Sequence, residues 1–201
     1  MLLNKGARPL VQKDSPALAN VFILRAFRLS DNKMKIFLIG FMGSGKTHWG
    51  NLLGEKLKLP FFDLDEQIVT AESKTINEIF AEKGEEYFRL KEREMLHTIT
   101  ESQTGFVMSC GGGAPCYFNN IEYMNQAGTT VWLNTPMDVL FHRLLKEKEQ
   151  RPLLKGLSDD QLKLFIKKKF SDRKIYYEQA DVSVEDEHIT LDQLIERVFH
   201  A

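Results

Sequence analysis

The segment Gly40-Phe41-Met42-Gly43-Ser44-Gly45-Lys46-Thr47 constrains this chain more than any other. It fits the spacing G-x-x-x-x-G-K-S/T. Directly before it runs Ile36-Phe37-Leu38-Ile39, a short β-rich apolar run of the kind that forms a buried strand. After it, Lys46 to Lys58 reads as a helix with Trp49, Leu52, Leu53 and Leu57 on one side. Strand, glycine turn and helix in that order make a cradle for phosphate. The glycines let the backbone curl so that successive N–H groups point inward. The helix that starts there offers its positive dipole end. In such a cradle Lys46 reaches the β- and γ-phosphates, and the Thr47 hydroxyl reaches Mg²⁺.

The rest of the chain alternates strands with helices. Pro60-Phe61-Phe62 leads into Asp63-Leu64-Asp65 as a second strand end. Thr75-Ile76-Asn77-Glu78 is a capping box, and Ile76, Ile79 and Phe80 follow at helical spacing. Gly84 is expected to break that helix, with another beginning near Glu85. Phe106-Val107-Met108 is a third strand, stopped by Gly111-Gly112-Gly113, and Thr129 to Leu133 a fourth. Thr135-Pro136-Met137-Asp138 marks a helix start, with a capping hydroxyl, a first-position proline and an early acid. Ser158-Asp159-Asp160-Gln161 opens another helix with a capping box. Val182 to Val184 is a last strand and Leu191 to Phe199 a closing helix. The alternation predicts an α/β fold with a parallel sheet covered on both faces.

Composition removes several classes of function. The chain has 201 residues, enough for one domain with an appendage, and its 43% hydrophobic and 27% charged residues are those of a globular protein. A net charge of −1 offers no field for gripping nucleic acid or an anionic membrane. No apolar run approaches the ~20 residues that cross a bilayer. Cys110 and Cys116 cannot make a disulfide framework, and they read as thiols in a reducing compartment. His48, His97, His142, His188 and His200 have no metal-ligand spacing. The expectation is a soluble, cytoplasmic, monomeric protein. The first 33 residues stand apart with a net charge of +4 against −5 for the rest, and read as a leader outside the core.

Candidate functional residues cluster at predicted strand ends, where open α/β sheets bind ligands. Two acids at i and i+2, Asp63 and Asp65, point the same way if the strand persists through them. One could hold Mg²⁺ through water while the other accepts a substrate hydroxyl and its proton. Alternatively, Asp65 followed by Glu66 caps a helix. Arg89 could be an i,i+4 surface partner of Glu85. Arg173 lies eleven positions past Leu162, about three turns, so it returns to the apolar stripe of its helix and faces inward. Lys169 shares that stripe and could snorkel outward. Arg151 stands in a polar stretch, Lys146 to Leu157, that reads as a mobile loop; it could close over phosphate or be one solvated charge among several. Gly111 to Gly113 would let a ligand approach backbone N–H groups.

These pieces together resemble the shikimate kinase family. The resemblance is carried by Gly40 to Thr47, Asp63-Leu64-Asp65, Gly84-Glu85-Glu86-Tyr87-Phe88-Arg89, Gly111-Gly112-Gly113-Ala114, Arg151-Pro152-Leu153-Leu154, and Arg173 with Tyr176-Tyr177. It implies a P-loop kinase core with a central five-stranded parallel sheet flanked by helices, spanning residues 34–201. Within it lie a substrate-binding helical segment at about 63–93 and a mobile lid at about 146–158. It implies ATP-dependent phosphorylation of the 3-hydroxyl of shikimate, with Mg²⁺, on the way to chorismate and the aromatic amino acids. It makes Lys46, Asp65 and Arg151 catalytic, with Asp65 as the base. Gly43, Ser44, Gly45, Lys46, Thr47, His48, Arg143 and Arg151 would contact the nucleotide. Asp65, Arg89, Gly111, Gly112, Gly113 and Arg173 would bind shikimate, and Thr47 with Asp63 would organise Mg²⁺. Arg143 could stack on the adenine or be a surface charge. A proline expected near the base is absent from Glu185-Asp186-Glu187-His188. The rival readings are another small-molecule kinase of the gluconate type and a nucleotide-binding protein without turnover.

Overall fold

The computed structural model describes residues 34–201 apart from 152 and 187. The leader reading for residues 1–33 lies outside the described residues, as do Pro152 and Glu187. Five strands form the sheet: β1 (Lys35–Ile39), β2 (Phe61–Asp63), β3 (Phe106–Ser109), β4 (Thr129–Leu133) and β5 (Val182–Val184). Their order is β2-β3-β1-β4-β5, and every pairing is parallel. The expected five-stranded parallel sheet is thus the one observed. Among the described residues seven α-helices connect and flank it: α1 (Lys46–Leu57), α2 (Leu64–Glu72), α3 (Ile76–Ser102), α4 (Asn120–Ala127), α5 (Met137–Lys146), α6 (Asp159–Tyr177) and α7 (Leu191–Phe199).

The apolar run of β1 sits at the centre, with Ile36 to Ile39 fully buried. Alternation sends its residues to opposite faces. Ile36 and Leu38 pack with Val107 and Val131 under Leu53 and Leu57 of α1 and Leu194 and Val198 of α7. Phe37 and Ile39 pack with Phe106 and Met108 under α2, α3, α4 and α6, through Leu64, Ile79, Phe88, Met124 and Tyr177. Both faces are therefore apolar, which is why the strand sequence is continuous rather than alternating. A third cluster, Phe41 with Leu140, Leu144, Leu154, Leu162 and Ile166, joins α5 to α6.

The capping boxes expected at Thr75 and Ser158 form, with Glu78 and Gln161 as partners, and Thr190 with Gln193 makes a further one. Gly84 has φ 80° and ψ 173°, so α3 is two helical stretches joined by a kink. At Thr135 the expectation fails. Pro136 takes the cap position of α5 without a side-chain bond, and the Thr135 hydroxyl donates instead to the Ser44 carbonyl at 3.4 Å. That hydroxyl links α5 to the phosphate loop rather than closing a helix end.

The α1–β2 contact requires a glycine at position 50. A Cβ there would stand 2.2 Å from Cε2 of Phe61. Helix propensity alone favours Ala over Gly by about 1 kcal/mol, whereas overpacking costs about 1–3 kcal/mol. Gly50→Ala is therefore expected to destabilise the fold in urea denaturation. A gain in stability would show that the Phe61 ring yields freely.

Candidate active site

At the end of β1 the chain turns through Gly40, Gly43 and Gly45, with φ of 139°, 80° and 94°. Side chains rarely adopt this region. At Gly40 a Cβ would also meet the Leu133 carbonyl oxygen at 2.8 Å. Lys46 reaches back over the loop, and its Nζ donates to the carbonyls of Gly40 at 2.9 Å and Phe41 at 3.0 Å. Burial pulls this ammonium down to about 8, against the opposing charges of Asp65 and Asp63. Arg143 of α5 donates from Nη1 to the Gly43 carbonyl at 3.0 Å, so it neither floats free nor waits only for a base. The loop opens into a cleft of about 430 Å³ that it shares with Asp63, Asp65, Gly111, Gly112 and Arg151. His48 is exposed at the rim of this cleft.

The two aspartates reach the cleft by a different route from strand alternation. β2 ends at Asp63, which becomes the N-cap of α2, and Asp63 Oδ1 accepts from the backbone N–H of Asp65 at 3.2 Å. The cap is thus Asp63 rather than Asp65, and Asp65 lies in the first helical turn. The helix start, not the strand, delivers both acids. Asp63 Oδ2 also accepts from the Thr47 hydroxyl at 2.9 Å. Two hard oxygen donors therefore meet beside the phosphate loop, a pairing that suits Mg²⁺ better than a softer metal. Burial raises the Asp65 carboxyl above the usual carboxylate range, and Asp63 raises it further, while Lys46, Arg89 and Arg151 pull it back.

The glycine run after β3 sorts charge. A Cβ at Gly111 would lie 2.6 Å from Glu92 Oε1 and 2.9 Å from Asp65 Oδ1. At Gly112 it would lie 3.1 Å from Arg173 Nη1, and at Gly113 2.7 Å from Arg89 Nη2. Acids thus flank the first glycine, and a guanidinium flanks each of the next two. Side chains larger than hydrogen would fill these contacts. Tyr177 steadies the run by donating from its hydroxyl to the Gly112 carbonyl at 2.5 Å. Gly111 and Gly112 line the cleft, whereas Gly113, Arg89 and Arg173 adjoin it.

Arg89 makes the expected i,i+4 pair but is not a surface residue. It pairs with Glu85 at 3.1 Å as an i,i+4 partner, yet it is only 8% exposed and bonds Glu92 Oε2 at 2.8 Å. Tyr117 lies under its guanidinium, 4.6 Å away. Arg173 is half-buried over the Phe41 ring at 5.7 Å, inward as its spacing predicts, while Lys169 is exposed. Arg151 follows a 3₁₀ turn, Lys148–Gln150, and pairs with Glu147. Within the stretch expected to be a mobile lid, Leu154 is fully buried. Cys110 is fully buried and Cys116 half-buried, and burial lifts the Cys116 thiol to about 11. Among the described residues no three His, Cys, Asp or Glu side chains converge on a metal-sized site, and no helix is long and apolar enough to cross a membrane.

Glu92 is the residue that sequence reasoning misses. Its position three residues after Arg89 is the available signal, since i and i+3 meet on a helix. It is fully buried, and its Oε1 finds no hydrogen-bond partner among the described residues. Burial lifts its carboxyl to about 7 against the pull of Arg89. An unfolded Glu titrates near ~4.3, so the native chain holds a proton that the unfolded chain releases. The resulting stability is full below that unfolded value and is lost as pH rises through about 7. The thermal midpoint is expected to fall between about pH 5 and 8, and to fall less in Glu92→Gln. Equal slopes in the two proteins would remove Glu92 as the cause.

Known proteins match this arrangement. A family model described as shikimate kinase matches residues 42–201. A shikimate kinase of Bacteroides thetaiotaomicron is 48% identical over 147 residues, which cover 73% of this chain and 83% of that protein. A crystal structure of shikimate kinase from the same organism superposes with a TM-score of 0.76 at 42% identity, covering 83% of this chain and 97% of the other. Shikimate kinase from Acinetobacter baumannii in complex with shikimate superposes with a TM-score of 0.75 at 30% identity, covering 88% and 95%. On the phosphate loop, the acid pair, the glycine run with its arginines and these matches, the chain belongs to the shikimate kinase family.

Proposed function

We propose that this protein transfers the γ-phosphoryl group of ATP to the 3-hydroxyl of shikimate, giving shikimate 3-phosphate and ADP on the way to chorismate and the aromatic amino acids. The observation that carries the reading is the order of charge along the glycine run: carboxylates beside Gly111, guanidiniums beside Gly112 and Gly113. Shikimate is a small ring with hydroxyls at one side and a carboxylate at the other. The planar forks of Arg89 and Arg173 suit the carboxylate, which can accept from both. The buried Asp65 suits the hydroxyls. The solved shikimate complex of the Acinetobacter baumannii enzyme supports a small-molecule substrate of this kind.

In this reading the substrate hydroxyl gives its proton to Asp65 as its oxygen bonds to the γ-phosphorus. The bond from that phosphorus to the β–γ bridging oxygen breaks, and ADP leaves. Asp65 is suited to the task because burial holds its carboxyl above the ordinary range, closer to neutral pH. Lys46 neutralises phosphate charge after leaving the loop carbonyls. The backbone N–H groups of Gly43 to His48 cradle the phosphates, and Arg143 borders the base end. Thr47 and Asp63 would hold Mg²⁺, which supplies charge neutralisation at the phosphates when bound. Arg151 closes on the transferring phosphate from the lid, about residues 146–158, and residues 63–93 form the substrate-binding segment. Closure keeps water from taking the phosphoryl group. We read the enzyme as a cytoplasmic monomer.

The direct test follows ADP release from Mg²⁺-ATP with shikimate, with gluconate and with no acceptor. Shikimate-dependent release is expected. Release with gluconate alone would favour a sugar-acid kinase, and nucleotide binding without release would favour a regulatory protein. Asp65→Asn is expected to lower kcat roughly 100- to 10,000-fold while ATP binding persists. Normal turnover in that variant would remove Asp65 from the reaction. Arg173→Ala is expected to raise KM for shikimate about 10-fold or more, as loss of a charged hydrogen bond does, with ATP affinity little changed. Equal loss for both ligands would point to a folding defect.

A further inference from the structure

We infer that Glu147 is a positioning residue: it holds the Arg151 guanidinium at the mouth of the phosphate cleft and yields it to the transferring phosphate of the incoming nucleotide. The inference rests on the role of Arg151 proposed above. Arg143, Glu147 and Arg151 recur every fourth residue across the end of α5, and all three line the cleft. Arg143 is tied to the Gly43 carbonyl at 3.0 Å. The Glu147 N–H donates to the Arg143 carbonyl at 3.3 Å, and the Arg151 N–H to the Lys148 carbonyl at 3.2 Å. From Arg151, Nε and Nη2 converge on one oxygen, Glu147 Oε2, at 2.8 and 2.6 Å. A carboxylate thus occupies the guanidinium edge that a phosphate would use.

The surroundings favour exchange of partners over a permanent bond. The two side chains are 38% and 43% exposed, and an ion pair in that much water holds weakly. Hydrogen bonds flank Arg151: its carbonyl accepts from Leu154 at 2.8 Å and Lys155 at 3.0 Å, and Lys148 Nζ donates to the Leu157 carbonyl at 2.6 Å. With Leu154 buried between α5 and α6, Arg151 can change partner by rotating its side chain. Until it does, the Glu147 carboxylate occupies the guanidinium edge and offsets its charge at the mouth. ADP lacks the γ-phosphate, so it competes less with Glu147 for the arginine than ATP does. Glu147 thereby opposes ATP binding more than ADP binding.

Calorimetric titration with the non-hydrolysable imido analogue of ATP, and with ADP, tests this in four proteins: unsubstituted, Glu147→Gln, Arg151→Ala and the double variant. Glu147→Gln is expected to tighten the analogue about 2- to 5-fold and ADP less. KM for ATP should fall by a larger factor than kcat changes. In the Arg151→Ala background the tightening should vanish, because interacting residues are not additive. The same tightening without Arg151, equal tightening for ADP, or none at all would each overturn the inference. If Arg151→Ala alone left analogue binding and turnover intact, the proposed role of Arg151 would fall along with it. If Arg151→Ala cut turnover while Glu147→Gln changed nothing, only the role of Glu147 would fall.

Discussion

The ends of β1 and β3 leave the sheet as neighbours, and the site depends on that adjacency. Leu38 pairs with Ser109, and the Cys110 N–H still donates to the Leu38 carbonyl at 3.0 Å as both strands finish. One strand runs into the phosphate loop and the other into the glycine run. The two loops then touch, since a Cβ at Gly112 would lie 3.4 Å from the Gly40 carbonyl oxygen and 3.5 Å from the Met42 nitrogen. Bare backbone on both sides lets a phosphate donor and a hydroxyl acceptor approach without a side chain between them. The parallel sheet supplies this arrangement because all its carboxyl ends lie on one side.

Charge is then placed on that frame in a compensated way. The buried acids Asp65 and Glu92 would be costly alone. Glu92 is offset by Arg89, and Asp65 feels Lys46, Arg89 and Arg151. Lys46 is in turn supported by Asp65 and Asp63. Each buried charge costs more without its counter-charges, which oppose the shifts that burial imposes on Lys46, Asp65 and Glu92. Such perturbed groups in a cleft mark a place suited to proton and phosphoryl movement.

Much of this was legible in the residues. The phosphate loop, the sheet and the capping boxes follow from local chemistry: glycine freedom, apolar runs and side-chain caps. Gly84 was readable because a helix interior disfavours it. The acid pair was readable as a site but not in its geometry. Whether β2 continued past Asp63 depended on α2 starting at once, and local pattern left strand and helix start open. Thr135 misled for a similar reason: its hydroxyl had a tertiary partner, Ser44, 91 residues away in sequence. Glu92 was hidden because its one local signal, the i+3 spacing from Arg89, fits an exposed pair on a charged helix equally well. The sorting of acids and arginines along Gly111 to Gly113 is likewise a product of tertiary packing, in which α2, α3 and α6 each contribute side chains.

The most direct measurement is a crystal structure with shikimate and ADP bound. The account predicts the shikimate carboxylate between the guanidiniums of Arg89 and Arg173, with ring hydroxyls on Asp65 and the ring against Gly111 and Gly112. The ADP phosphates should lie in the loop from Gly43 to Thr47. A carboxylate lodged away from both arginines, or hydroxyls turned away from Asp65, would contradict it.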